Sequence, residues 1–399
     1  MTSTAGGPLA GLRIIECSNG VGAAYAGRLL ATLGADTVLV EPPSGHALRH
    51  EPPFLPGTEE TSALFAYLAA GKRSVVCDLS EPSGRADLDR LLEGADILVC
   101  DVPLAERAAC GLDEESVRTR HEGLVYVSVL PFGASGPKAR WKGEEVNLIH
   151  AAGEGYLLPN GLSAELFPDR PPLKIHGHFA QMQAGTVAVM GALAALLADG
   201  GRGRGEAVDV SAQDSALAVG AFAIQRLGDG SLEHRLTRSF KYGGVLECAD
   251  GYLQLLTLED RQWQGLVELM GSPEWACDPA LADPLERGRQ GQQINARIRA
   301  WAKTQRTEEL VARAQRLGVP MAKYASPADV LAGPHEAARG LFQTVDIAGF
   351  GPCPVLVAPF HISGSALALA RGVPALGADQ DLLIPARPDV RARKVAEAR

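Results

Sequence analysis

Side chains able to act as acids and bases flank one segment of the chain. His150, His176 and His178 lie with Glu144, Glu145 and Glu154 around a Pro-rich stretch, Pro168-Asp169-Arg170-Pro171-Pro172, that leads into Gln181. A histidine beside a carboxylate can remove a proton from carbon and return it, so Glu144, His150 and His178 are candidates for a general acid–base pair. The alternative is that they are hydrogen-bonded pocket or surface groups. His176 and His178 also raise the question of zinc, but an H-x-H pair alone is not a ligand set, and no metal is expected. Asp169 reads as a turn former. Gln181 is a neutral amide and a poor nucleophile.

A second kind of chemistry is phosphate binding. Gly20-Val21-Gly22 follows a short apolar run, Leu12 to Cys17, and a turn of such small residues lets backbone N–H groups approach a phosphate. Lys72-Arg73 precedes another apolar run and serves either as a phosphate contact or as a solvated charge pair. The Gly-rich stretch 200–205 reads as a loop between helices.

The elements that must position these groups alternate between strand and helix. Apolar runs at 12–17, 37–40, 74–79, 95–100 and 124–130 predict strands, and helical spacing at 23–33 and 83–94 predicts the helices between them. Continuous apolar strands alternating with helices indicate an α/β fold with a parallel sheet covered on both faces. From Ala184 the pattern is helical to Ala198 and again around 211–227. Val245 to Leu255, with Asp250-Gly251 at its turn, predicts a β-hairpin. The expected organisation is a large domain over 1–200, a helical linker at 201–239, a small α+β domain at 240–335 and a return segment at 336–399.

Composition narrows the function classes. The 399 residues suit two domains or one large domain with an insertion, and 46% hydrophobic content suits a sizeable core. A formal charge of −9 argues against nucleic acid, whose binding needs a basic face. Seven cysteines, odd in number and without a C-x-x-C pair, read as free thiols in a reducing cytosol. Met1 to Leu12 lacks the basic and apolar regions of a secretory signal, and the apolar run Thr186 to Ala198 falls short of the roughly 20 residues of a membrane span. A cytoplasmic protein without a membrane partner is expected.

An ordered series of short motifs runs along nearly the whole chain. It includes Gly11-Leu12-Arg13, Leu33-Gly34-Ala35-Asp36, Val40-Glu41-Pro42-Pro43, Gly71-Lys72-Arg73-Ser74, Phe132-Gly133, Gly136-Pro137, the segment 168–185, Gly203-Arg204-Gly205-Glu206, Asp250-Gly251-Tyr252 and Gly318-Val319-Pro320. In this series the chain resembles the class III CoA-transferases, the formyl-CoA and carnitine-CoA type. The resemblance implies a Rossmann-like large domain built from both chain ends, a smaller middle domain, and ring-shaped chains interlocked as a dimer. It implies acyl-CoA and a carboxylic acid as substrates, with no permanently bound cofactor.

The same resemblance implies an aspartate that attacks the acyl-CoA, and the twelfth position beyond Asp169 is Gln181. In the racemase branch of the family a histidine would fall in the stretch matching Gly143-Glu144-Glu145-Val146-Asn147, where Glu144 stands. Cys100-Asp101-Val102-Pro103-Leu104-Ala105 replaces the usual Glu-Asn-Phe-Arg-Pro-Gly, and Leu39 a frequent basic residue, whereas Arg49, Lys72 and Arg73 remain at positions that match CoA contacts. The implied function is CoA transfer by a subunit that lacks the nucleophile and works with an aspartate-bearing paralogue, as in the benzylsuccinate-type enzymes. The alternatives are an isomerase, racemase-like enzyme or lyase using other acid–base residues, and a non-catalytic dimeric binding protein.

Overall fold

The computed structural model describes residues 6–158, 168–171, 173–198, 204–220 and 242–384. The chain forms two compact units, one of Met1–Glu154, Ile175–Ala221 and His335–Arg399, the other of Gly155–Lys174 and Phe222–Pro334.

The first unit is built on six parallel strands: β1 (Arg13–Cys17), β2 (Asp36–Glu41), β3 (Arg73–Val76), β4 (Ile97–Cys100), β5 (Val125–Leu130) and β6 (Ala207–Ser211). Their order is β3-β2-β1-β4-β5-β6, so the direction of winding reverses between β1 and β4. In an open α/β sheet, that reversal leaves a crevice at the carboxyl ends of the two strands. β4 and β5 are buried along their whole length, which explains their unbroken apolar sequence. β6 falls within the stretch read from sequence as a helical linker. It is an edge strand with only its last two residues buried, so its sequence lacks the continuous apolar run that marks the others.

Neighbouring residues of a strand point to opposite faces. Ile14 joins a core with Ile97, Val127 and Val129 on one face, while Ile15 joins Leu98, Cys100 and Tyr126 on the other. The helices covering the sheet are α1 (Val21–Thr32), α2 (Ala63–Ala69), α3 (Pro82–Leu92), α4 (Glu114–Arg120), α5 (Glu145–Ala151), α6 (Phe179–Ala198) and α7 (Ala212–Gly220). At 20 residues, α6 is the one helix among the described residues long and apolar enough to cross a membrane, longer than the run from Thr186 implied. Its Ala180, Ala184, Ala188 and Ala192, one turn apart, are buried in the first core.

α1 and α6 approach at backbone distance. A methyl group added to Gly185 would stand 2.6 Å from the Gly22 carbonyl oxygen, and one on Gly22 would stand 3.1 Å from the Gln181 carbonyl oxygen. Glycine at both positions therefore sets the start of α6 directly against the start of α1. The chain end also belongs to this unit. Its hairpin, β10 (Phe342–Ile347) with β11 (Gly351–Leu356), is anchored by the buried Arg28 of α1, whose Nη2 donates to the Leu356 carbonyl at 2.6 Å.

The second unit has an antiparallel sheet ordered β7 (Gly244–Cys248), β8 (Gly251–Leu255) and β9 (Met321–Lys323). The first two strands are the hairpin expected around Asp250-Gly251. Helices α8 (Asp260–Leu269), α9 (Gly291–Ala302) and α10 (Thr307–Arg316) supply Trp263, Leu266, Ile298 and Leu310 to its core.

Beneath the carboxyl end of β1 lies a buried ion pair. Lys72 Nζ is 2.7 Å and 2.9 Å from the two carboxylate oxygens of Glu16 and donates to the Ala24 carbonyl at 2.8 Å. Burial raises the pKa of Glu16 and lowers that of Lys72, while each partner's charge opposes the effect. The pair occupies space that only glycine leaves open in α1, since a methyl on Gly27 would lie 1.6 Å from Glu16 Oε2. Lys72→Met strands a buried carboxylate and is expected to cost about 3–5 kcal/mol in urea unfolding. Adding Glu16→Gln to Lys72→Met should recover much of that loss, and a double variant no more stable than the single one would refute the assignment.

Candidate active site

The crevice at the reversal of strand order holds a pocket of about 360 Å³. Its walls come from the carboxyl ends of β1, β4 and β5 and from the starts of α1, α6 and α7. Gly20 and Gly22 line it with Asp101, Glu144 and Gln181, and Val129, Leu130, Leu148 and Ala184 give it apolar surface. Asp101, Glu106 and Glu144 are its ionisable groups, and no Lys, Arg or His lines it among the described residues.

Gln181 occupies the first turn of α6. The carboxylate of Glu145 braces that turn, accepting from the Ala180 N–H at 2.8 Å and the Gln181 N–H at 3.1 Å. A negative group here satisfies two helix-terminal donors and complements the helix dipole. Glu145 is thus committed to the helix start and is not a free acid or base. Glu144 sits at the N-cap of α5, where the Asn147 side chain accepts its N–H at 2.9 Å.

The histidines are elsewhere. His150 is exposed on α5, His176 is exposed, and His178 is half-buried just before α6 with no hydrogen-bond partner on Nδ1 among the described residues. None lines the pocket. A His/Glu pair built from Glu144, His150 and His178 is not assembled there, since Glu144 lines the pocket and neither histidine does.

The residues read as phosphate contacts also divide. Gly20 and Gly22 face the pocket, whereas Val21 points into an apolar cluster with Ala24, Leu39 and Phe65. Lys72 donates to Glu16 and to the Ala24 carbonyl, is ion-paired with Glu16 and is 1% exposed, so it is buried away from a phosphate in the pocket. Arg73 opens β3, at the opposite edge of the sheet, and pairs with Asp36 at 2.7 Å and Asp379 at 3.0 Å. Arg49 is bidentate to Glu41, 2.7 Å for each bond, and lies 4.1 Å from the centre of the Phe65 ring. Each cation is thus held by carboxylates, Glu16 of β1, Asp36 and Glu41 of β2, and Asp379, a pairing that their separation in sequence conceals.

Asp101 belongs to the stretch Cys100 to Ala105 that departs from the family pattern. It follows β4 directly, and its Oδ1 and Oδ2 accept the N–H groups of Asn19 and Gly20 at 2.8 and 2.7 Å. Burial pushes its pKa up to about 7, with the two backbone donors pulling it down and Glu16 pushing it further up. A polar residue one step past an apolar strand was the available signal.

Residues 9–380 match CoA-transferase family III. The chain belongs to this family. A probable CoA-transferase of Mycobacterium tuberculosis is 32% identical over 376 residues, covering 91% of this chain and 46% of that protein. Subunit BbsE of the succinyl-CoA:(R)-benzylsuccinate CoA-transferase of Thauera aromatica is 28% identical, covering 83% of this chain and 82% of the subunit. The crystal structure of a CAIB/BAIF family protein from Brucella suis superposes with a TM-score of 0.82 at 28% identity, covering 97% of this chain and 99% of that one. The family and the names of its members support CoA-transferase function for this family III chain, and the neighbouring structure confirms the α/β fold.

Next to the pocket, His46 is buried against the ion pairs. Its Nδ1 accepts the Leu48 N–H at 3.1 Å, so Nε2 carries the proton toward Ser18 Oγ, also at 3.1 Å, and Ser18 donates to Glu16. Burial, with Lys72 and Arg49 adding to it, lowers the His46 pKa to about 4, opposed by Glu41. The fold therefore holds His46 neutral while the unfolded chain protonates it near pH 6.5. Its contribution is complete above that pH and is lost as pH falls toward 4, about 3 kcal/mol in all. Urea unfolding between pH 4 and 7 should show this loss, diminished in His46→Asn; an equal slope in both proteins would disprove it.

Proposed function

We propose that this chain serves CoA transfer between an acyl-CoA and a carboxylic acid, with the covalent step carried by a carboxylate other than residue 181. The carrying observation is Gln181 itself, a neutral amide on the first turn of α6 and in the pocket wall. A carboxylate can attack a thioester, form an anhydride and leave again; a carboxamide cannot complete that cycle. An aspartate-bearing paralogue paired with this chain would supply the group in trans, and the likeness to a relative named as a subunit favours such pairing. By the family resemblance, the assembled form is an interlocked dimer of two copies or of chain and paralogue. The seven free cysteines suit a reducing, cytoplasmic setting.

An acid–base isomerase or lyase finds less support, since His150 and His178 stand outside the pocket. The test is CoA transfer from succinyl-CoA to a panel of carboxylic acids, by this chain alone and mixed with a same-family chain encoded beside it. Turnover is expected in at least one of the two, and in trans it should disappear when the partner's aspartate is replaced. Absence of turnover in both, with no acyl-CoA binding by calorimetry, would leave a non-catalytic binding protein.

A further inference from the structure

Transfer of CoA through the enzyme needs a carboxylate able to carry the acyl group and then CoA itself. One carboxylate of this chain stands in the pocket across Gly20 from residue 181. Cys17 and Cys100 are register partners at the ends of β1 and β4, so the residues just beyond them, at 18–20 and at 101, face one another across the crevice. Gly20 keeps the space between Asp101 and Gln181 open. A methyl group on Gly20 would fall 3.0 Å from Asp101 Oδ2 and 4.0 Å from Gln181 Oε1.

Asp101 differs from Glu145, which also accepts two backbone N–H groups, in lining the pocket, and it differs from the other carboxylates around β1 and β2 in having no ion pair. Glu16, Glu41 and Asp379 are each paired with Lys or Arg. None of the ion pairs among the described residues includes Asp101; two backbone N–H groups orient it, one on each oxygen, and leave each oxygen a further lone pair toward the pocket. A carboxyl in a cleft whose pKa burial raises, with Arg107 opposing from a distance and no ion pair formed, fits a working site.

We propose that Asp101 is the nucleophilic carboxylate of this chain. The inference rests on CoA transfer proceeding without residue 181, and it places the missing carboxylate in this chain instead of a partner. An Asp101 oxygen attacks the thioester carbonyl carbon, the C–S bond breaks, and CoA leaves as the thiolate, giving an acyl–aspartyl anhydride. The thiolate attacks the Asp101 carbonyl of the anhydride and releases the first acid as its carboxylate. The incoming carboxylate then attacks the Asp101 thioester, and the freed thiolate returns to the new acyl carbon and restores Asp101. No oxidant, reductant or net proton is consumed. The Gln181 carboxamide, facing the same space, can donate an N–H to the oxyanion of the tetrahedral centre.

The test uses the purified full chain without any paralogue. It is incubated with succinyl-CoA, quenched with sodium borohydride, which reduces an aspartyl anhydride or thioester to the alcohol, and mapped by peptide mass spectrometry. Homoserine at position 101 is the expected result, with CoA transfer by the chain alone falling roughly 10³-fold or more in Asp101→Asn. Asp101→Glu, which keeps a carboxylate, should retain part of the activity. Labelling should weaken below about pH 7 as Asp101 takes up a proton. The charged groups facing Asp101 or the pocket are Glu16, Glu106, Arg107 and Glu144. The wild-type label stands even if the Asn variant fails to fold. No label from the chain alone, with turnover only beside an aspartate-bearing paralogue, would overturn Asp101 and leave CoA transfer standing. No turnover in either case would remove both.

Discussion

The buried contact between Lys72 and Glu16 is the constraint around which the first unit is arranged. It joins the end of β1 to the residue just before β3 and to the backbone of α1, with Gly27 giving way to both charges. Such a pair adds little net stability, because desolvation offsets most of the attraction, but removing either member is costly. Its effect is geometric. It holds the end of β1, and hence the turn at 18–20, at a fixed height beside β4. Ser18 and His46 extend the same network, and Glu41 with Arg49 and Ser74 continues it across β2 and β3.

This arrangement explains why the basic residues of the sequence do not mark the pocket. Lys72, Arg73 and Arg49 look free in one dimension because their carboxylate partners, Glu16, Asp36 and Glu41, belong to other strands. The sheet brings each pair together. The pocket is left with carboxyl and carboxamide groups and apolar walls.

Much of the fold was legible because its strands are buried on both faces and therefore read as continuous apolar runs. β6 was not, since one side of an edge strand faces solvent and its sequence, Ala207 to Ser211, carries only weak alternation. At the site, the sequence was informative where chemistry depends on residue type alone: an amide at 181 excludes a nucleophilic role wherever it lies. It was uninformative where the role depends on direction. His178 is close in sequence to Gln181 yet outside the pocket, as is His150, whereas Asp101, distant in sequence, lies across Gly20 from it. Glu145 changed most in meaning, from a possible acid or base to the acceptor that fixes the start of α6.

The contact of Gly22 with Gly185 has an evolutionary side. Because α1 and α6 meet through backbone atoms, the position of residue 181 in the crevice is set without reference to its side chain. A carboxylate there can become an amide while the helices stay in place, so such a chain can lose or move its reactive group and still fold. In this architecture the scaffold and the reaction are inherited separately.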